Sequence, residues 1–145
     1  MPARLANHPY ALPDRLPPRL ARVLAYWEGL LRGAAKIPFA DDLRPSVLPD
    51  LADQLLLIDV FERPIRFRLQ SVGKGLGAED LTGQFVDEVR PRVPLDYLAS
   101  QCNATVEAGA PSFFRSSAGL PHARLLAPLW GEGRINLLLG IVENE

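Results

Sequence analysis

Residues 134–143, RINLLLGIVE, are the segment that most constrains what this chain can fold into. Alternation places Ile135, Leu137, Leu139 and Ile141 on one face of a strand, and Leu138 and Val142 on the other. Both faces therefore need cover. A sheet with one wet face would show polar residues at every second position. The strand belongs in the middle of a sheet, with helices over one face and a second layer over the other.

The rest of the chain supplies the neighbours of that strand. Leu55–Phe61 (LLLIDVF) and 65–72 (IRFRLQSV) flank Glu62-Arg63-Pro64, a connection of hairpin length. In the second, Ile65, Phe67 and Leu69 read as inward and Arg66, Arg68 and Gln70 as outward, the mark of a half-buried strand. Residues 111–117, 123–130 and 135–143 are three further strands, the last two joined by a tight hairpin at Gly131-Glu132-Gly133. Prolines 2, 9, 13, 17 and 18 make residues 1–18 an extended arm. Leu20, Val23, Leu24, Trp27, Leu30 and Leu31 then recur at three- and four-residue spacing up to Gly33, which predicts an amphipathic helix over 19–33.

A short helix is expected over 44–54, with Pro45 in its first turn, and a helical turn over 85–89 after the glycine-rich stretch 73–83. A longer helix over 94–108 presents Leu95, Leu98, Cys102, Thr105 and Val106 on one face and stops at Gly109. The pattern is α+β: a five-stranded antiparallel sheet in residues 34–145, with a helical block between strands two and three. It closes well if the last strand returns between the first and the fourth.

A chain of 145 residues makes one domain with a substantial core. A net charge of -1 with both signs interspersed gives no reason to expect nucleic acid or an anionic membrane as partner. Cys102 is the only cysteine, which leaves no intrachain disulfide and no cysteine-based zinc site. The first residues lack a signal peptide's apolar core, and no run approaches the roughly 20 apolar residues of a membrane span. A cytoplasmic protein is expected.

The order of elements is similar to the PAS fold, and several residues carry the likeness further. They are Trp27 in the leading helix, Pro38 with Asp41 and Leu48-Pro49 before the first strand, Phe67-Arg68-Leu69 in the second, Asp80-Leu81-Thr82-Gly83 after it, and residues 125–129 with Pro128. In these features, across roughly residues 20–142, the chain resembles the single-domain PAS proteins of alphaproteobacterial type, the PAS_5 family. One departure is that the segment between Leu69 and Asp80 is shorter than that family's, with Gly77-Ala78-Glu79-Asp80 where the family has a Gly-Arg-Asp-Leu-Thr-Gly stretch. The resemblance implies a non-enzymatic sensory or protein-interaction module in bacterial signalling, with any output unit carried by another protein. It implies a ligand pocket between sheet and long helix, here Phe67, Leu69, Tyr97, Leu98, Cys102, Phe114 and either Leu137 or Leu138, with a filled core at the same place as the alternative. Haem and flavin are not expected: the long helix offers Tyr97 and Cys102 but no histidine, and Cys102 is not in the motif of flavin-binding light sensors.

The candidate chemistry is sparse. Asp80, Thr82 and Gly83 could hold a polar ligand group, but such residues more often fix a turn through bonds to nearby backbone. Gly73, Gly75 and Gly77 lack the spacing and the Lys-Ser/Thr ending of a phosphate loop. Cys102 reads as a small buried side chain rather than a reactive thiol. His8 and His122 are too far apart in sequence, and too lacking in nearby carboxylates, to suggest a metal site. Ser100, Ser116 and Ser117 sit in no nucleophile elbow.

Arg66 and Arg68, on one strand face, read first as a solvated or salt-bridged sheet face and second as a contact for a partner protein's carboxylates, with Asp59 as an internal counter-charge; Arg115 and Arg124 are further arginines of this kind. Leu20, Leu24, Trp27 and Leu31 form an apolar stripe that would pack on the sheet or join two copies of the chain, and a homodimer is expected. Two other function classes stay open: a small enzyme with an apolar pocket on a curved sheet, and an adaptor acting through the Trp27 helix.

Overall fold

A computed structural model describes residues 9–90, 92–117 and 119–145. Pro2, His8 and the first part of the proline-rich arm lie outside the described residues.

The strands are β1 (Leu55–Phe61), β2 (Arg66–Val72), β3 (Ser112–Ser116), β4 (His122–Gly131) and β5 (Arg134–Asn144), with helices α1 (Pro18–Gly29) and α2 (Leu98–Ala108). These strands pair antiparallel with their neighbours, in the order β2-β1-β5-β4-β3. The doubly apolar strand β5 thus lies at the centre, as its sequence requires. Leu138 and Val142 join a core beneath α2 and the segment that precedes it. Leu139 and Ile141 join a second core beneath α1 and residues 43–51.

Ile135 is on the opposite face from the one its alternation predicts. Leu129 pairs with Leu137 and Trp130 with Ile135, so Asn136 is an extra residue in β5. This bulge turns Ile135 towards the α2 side, where it packs against Leu138's core. A side chain on Gly131 would run into Asn136, its ideal Cβ lying 2.5 Å from Nδ2, so the bulge and the glycine belong together. Gly131 pairs with Arg134, leaving a two-residue loop in which Glu132 and Gly133 both have positive φ, the geometry that matches strand twist in a tight hairpin. Ile65 also departs from its reading: it is 44% exposed, because β2 begins one residue later, at Arg66.

The helix over 19–33 is shorter at its end and starts slightly earlier. Pro18 occupies the first turn, where a missing N–H costs nothing. No local side chain caps that turn; the Glu143 carboxylate on β5 accepts from the Arg19 N–H at 3.0 Å instead. The helix stops at Gly29, where the Leu30 N–H bonds back to the Trp27 carbonyl, a tightened last turn. Beyond it Arg32 grips Asp42 through two bonds of 2.7 Å. The helix expected over 44–54 is instead two 3-10 turns, Pro45–Val47 and Pro49–Gln54. Pro49 has no N–H for the carbonyl of Pro45, and its ring would clash there in an α-helix.

The apolar stripe of α1 covers the chain's own sheet. Leu20 and Trp27 are buried, Leu24 and Leu31 partly buried against the same core, and the Trp27 indole N–H donates to the Pro128 carbonyl at 2.8 Å. The four residues expected to join two copies therefore form an intrachain layer. Burial of such a stripe is favourable wherever it happens, and here the sheet face lies within reach of a short connection.

Candidate functional site

The best-defined cavity, of about 250 Å³, lies between β2, the segment from Leu81 to Leu95 and the first turn of α2. Its apolar walls are Leu69, Leu81, Val86, Val89, Leu95 and Leu98; Arg90, Tyr97, Ala99 and Ser100 are its solvent-exposed residues. The walls are set in place by the backbone. Gly83 adopts φ +88°, a conformation that L side chains rarely take. There its N–H donates to the Leu69 carbonyl at 2.7 Å, while the Leu69 N–H donates to Gln84 at 2.9 Å. The chain after Gly83 therefore runs along the free edge of β2 and covers it. Leu81 is buried just before this turn, and Leu69 just across from it.

Three arginines pin the covering segment. Arg66 pairs with Asp87 at 2.9 Å and Glu88 at 3.2 Å, and its guanidinium lies 3.8 Å from the centre of the Phe85 ring. That pairing holds the Asp87 carboxyl below the usual carboxylate range. Arg92 bonds the Asp80 carboxylate and, at 3.3 Å, the Gly77 carbonyl. Arg124 reaches from β4 to the carbonyls of Pro94 at 2.7 Å and Asp96 at 2.8 Å. Arg68 pairs with Asp59 at 2.8 Å and lies over Phe61. Arg66 and Arg68 thus form the salt-bridged sheet face that is the first of their two readings, Arg68 with the counter-charge expected of Asp59, and the residues offered for a partner contact are engaged within the chain. Asp80 is held by Arg92 rather than capping nearby backbone, whereas the turn itself is made by Gly83 and by the Thr82 N–H to the Glu79 carbonyl.

The expected pocket residues separate into groups. Leu69, Tyr97 and Leu98 line the cavity. Phe67 and Cys102 lie in the solid core beside it, and burial pushes the Cys102 thiol up to about 12, so it is an inert side chain. Of the two β5 candidates, Leu138 lies on the expected side, in the core with Phe67 and Cys102, and Leu137 is on the far side, under α1, because the α2 side of β5 carries the even-numbered residues from Leu138 on. Phe114 faces a different cluster, its ring 5.8 Å from Tyr97, 6.0 Å from His122 and 4.7 Å from the Arg124 guanidinium. Tyr97 itself is 67% exposed with positive φ, so it stands at the mouth rather than in the wall.

That cluster was not legible as a site. Arg124 is fully buried, and besides the two carbonyls it donates to the Gln101 amide oxygen at 2.7 Å. Gln101 in turn donates to Ser112, which shares a hydrogen bond with Thr105. Burial pulls the Arg124 guanidinium down to about 10, which leaves it charged at neutral pH. His122 is also buried, with Nδ1 2.9 Å from the Leu120 carbonyl and Nε2 3.0 Å from Asp96 Oδ1, though the latter contact lacks hydrogen-bond alignment. Asp96 is the carboxylate that sequence spacing did not supply for His122. The available signal was the alternation in HARLLAPLW: His122 and Arg124 are polar on the same face of an otherwise apolar strand.

No family model, curated protein or solved structure matches the chain. Its chemistry must therefore be read from the side chains themselves. Among the described residues no group of three or more His, Cys, Asp or Glu is arranged to hold a metal ion, and no helix is long and apolar enough to cross a membrane. Of the cavity's lining residues only Arg90 and Tyr97 are titratable, so the arrangement favours binding an apolar body over proton transfer.

Proposed function

We propose that the chain is a PAS-type sensory module of bacterial signal transduction, akin to the PAS_5 proteins, that binds a small molecule between its sheet and helical segment and works without catalysing a reaction. The observation that carries this reading is an apolar cavity under the segment between β2 and α2, on a sheet ordered β2-β1-β5-β4-β3. A sheet in this order, with a segment inserted between β2 and α2, supports the likeness to the PAS fold that the sequence suggests. A ligand that fills the cavity would bias the packing of the segment over it, and a signalling protein would read that bias as a shift between two populations. Any such partner would meet a surface other than the apolar stripe of α1, which the sheet already covers.

An enzymatic reading would need two titratable groups converging on the cavity. Arg90 and Tyr97 are both exposed, and the His122 and Asp96 pair is not among its lining. Native mass spectrometry and thermal shift with small apolar compounds test the sensory reading. At least one compound is expected to add its mass to the folded protein and raise its Tm, and to do neither in Ala99→Trp, which fills the cavity. Failure of every compound, or binding undiminished by the filling, overturns it.

A further inference from the structure

The side chains around the cavity narrow its ligand to a chemical class, an inference that rests on the sensory reading above. The walls offer aliphatic side chains and almost no hydrogen-bonding groups, so the buried part of the ligand must be apolar. Its size is bounded as well. A dry cavity of about 150 Å³ takes a benzene molecule, and drug-sized ligands use roughly 300–1,000 Å³. At about 250 Å³ this cavity suits a single ring with a short tether, or a short aliphatic chain.

The charge at the mouth is set by how the neighbouring ions are committed. Asp87 and Glu88, the acids nearest Arg90 in sequence, are both held by Arg66. Asp80, across the segment, is held by Arg92. Both acids of the segment between Leu81 and Leu95, Asp87 and Glu88, are therefore already paired with a different arginine. Among the described residues Arg90 makes no ion pair or side-chain hydrogen bond, and it is the one cation lining the cavity. An unpaired guanidinium fork beside an apolar hole matches a carboxylate head on an apolar body. The first turn of α2, which lines the same cavity and contains no acidic residue, adds a positive end of the same sign.

We propose that the cavity binds an amphipathic monocarboxylate, its hydrocarbon part among Leu69, Leu81 and Leu98 and its carboxylate on Arg90. The guanidinium sets the class of ligand and the aliphatic walls set its size. A dicarboxylate or a sugar acid would bring polar groups to walls with no partners for them. A long-chain fatty acid would exceed the volume.

Four probes test this: 3-phenylpropionate and octanoate, each beside its neutral counterpart, 3-phenylpropan-1-ol and 1-octanol. Titration is followed by calorimetry and by the methyl resonances of Leu69, Leu81 and Leu98. The carboxylates are expected to bind roughly threefold to tenfold more tightly than the alcohols, the range for a charge-assisted contact at a partly exposed site. Arg90→Gln is expected to erase that preference and leave alcohol binding unchanged, while Arg90→Lys keeps part of it. Arg90 is exposed, so these variants fold as the parent does. Equal binding of acids and alcohols, unaffected by Arg90→Gln, overturns the carboxylate assignment and leaves the pocket reading standing. Failure of all four probes to shift the three methyl groups overturns both.

Discussion

Arg124 brings a positive charge to a place without solvent and without a salt-bridged carboxylate. Three neutral oxygens, from Gln101, Pro94 and Asp96, and the face of Phe114 take the place of water around it. The two carbonyls belong to the segment that supplies Leu95 and Tyr97 to the cavity, so Arg124 is a positioning residue for that wall. Arg124→Met keeps the volume but leaves three acceptors without donors. It is expected to lower the urea-unfolding free energy by roughly 2–4 kcal/mol, and Arg124→Lys, which cannot fork to three oxygens, to recover only part of that. A neutral effect of Arg124→Met would mean that the acceptors find water. Only the alternation of His122 and Arg124 along β4 hinted at this cluster; Asp96 and Gln101 come from other elements, and no spacing relates them to it.

At the scale of elements, α1 shows how a periodic stripe leaves its own partner undecided. The spacing of Leu20, Val23 and Trp27 is legible as a helix face in need of cover. Whether that cover is the same chain or another copy depends on the reach of residues 30–54 and on a sheet face that no helix residue encodes. Two long-range bonds, from Arg19 to Glu143 and from Trp27 to Pro128, hold the helix on its own sheet. Trp27→Ala is accordingly expected to cost about 3–5 kcal/mol of stability, measured by chemical unfolding, with no change in oligomeric state by size exclusion. A folded variant that passes from dimer to monomer would show the stripe shared between copies. The same contrast holds for α2: its stop at Gly109, with φ +61°, is written in the sequence, whereas its start at Leu98 follows a left-handed Tyr97 that nothing local demands.

For the whole molecule, exposed ion pairs tie connecting segments to the two layers: Arg22 with Asp50, Arg32 with Asp42, and Arg66 with Asp87. Each arginine holds its partner's carboxyl below the ordinary value of 3.8. A carboxyl depressed in the folded state binds fewer protons there than in the unfolded chain, so its contribution is complete above about pH 5 and is lost as pH falls through 3.8 and below. The urea midpoint is expected to fall over that window and to do so less steeply in 0.5 M salt. The combined variant Asp42→Asn, Asp50→Asn and Asp87→Asn should flatten the decline, and an unchanged slope would place the acid sensitivity elsewhere. What the sequence alone determined was the α+β class, the five strands and the central place of β5. Those follow from local periodicity, and a strand apolar on both faces has only one kind of position in a sheet. Tertiary structure decided the rest: the bulge at Asn136 that moved Ile135, the layer that took up the α1 stripe, the pairing of Arg66 with Asp87 and Glu88 that leaves Arg90 open at the cavity, and the cavity itself. Each depends on which distant residues the fold brings within a few ångströms, and neither periodicity nor propensity carries that information.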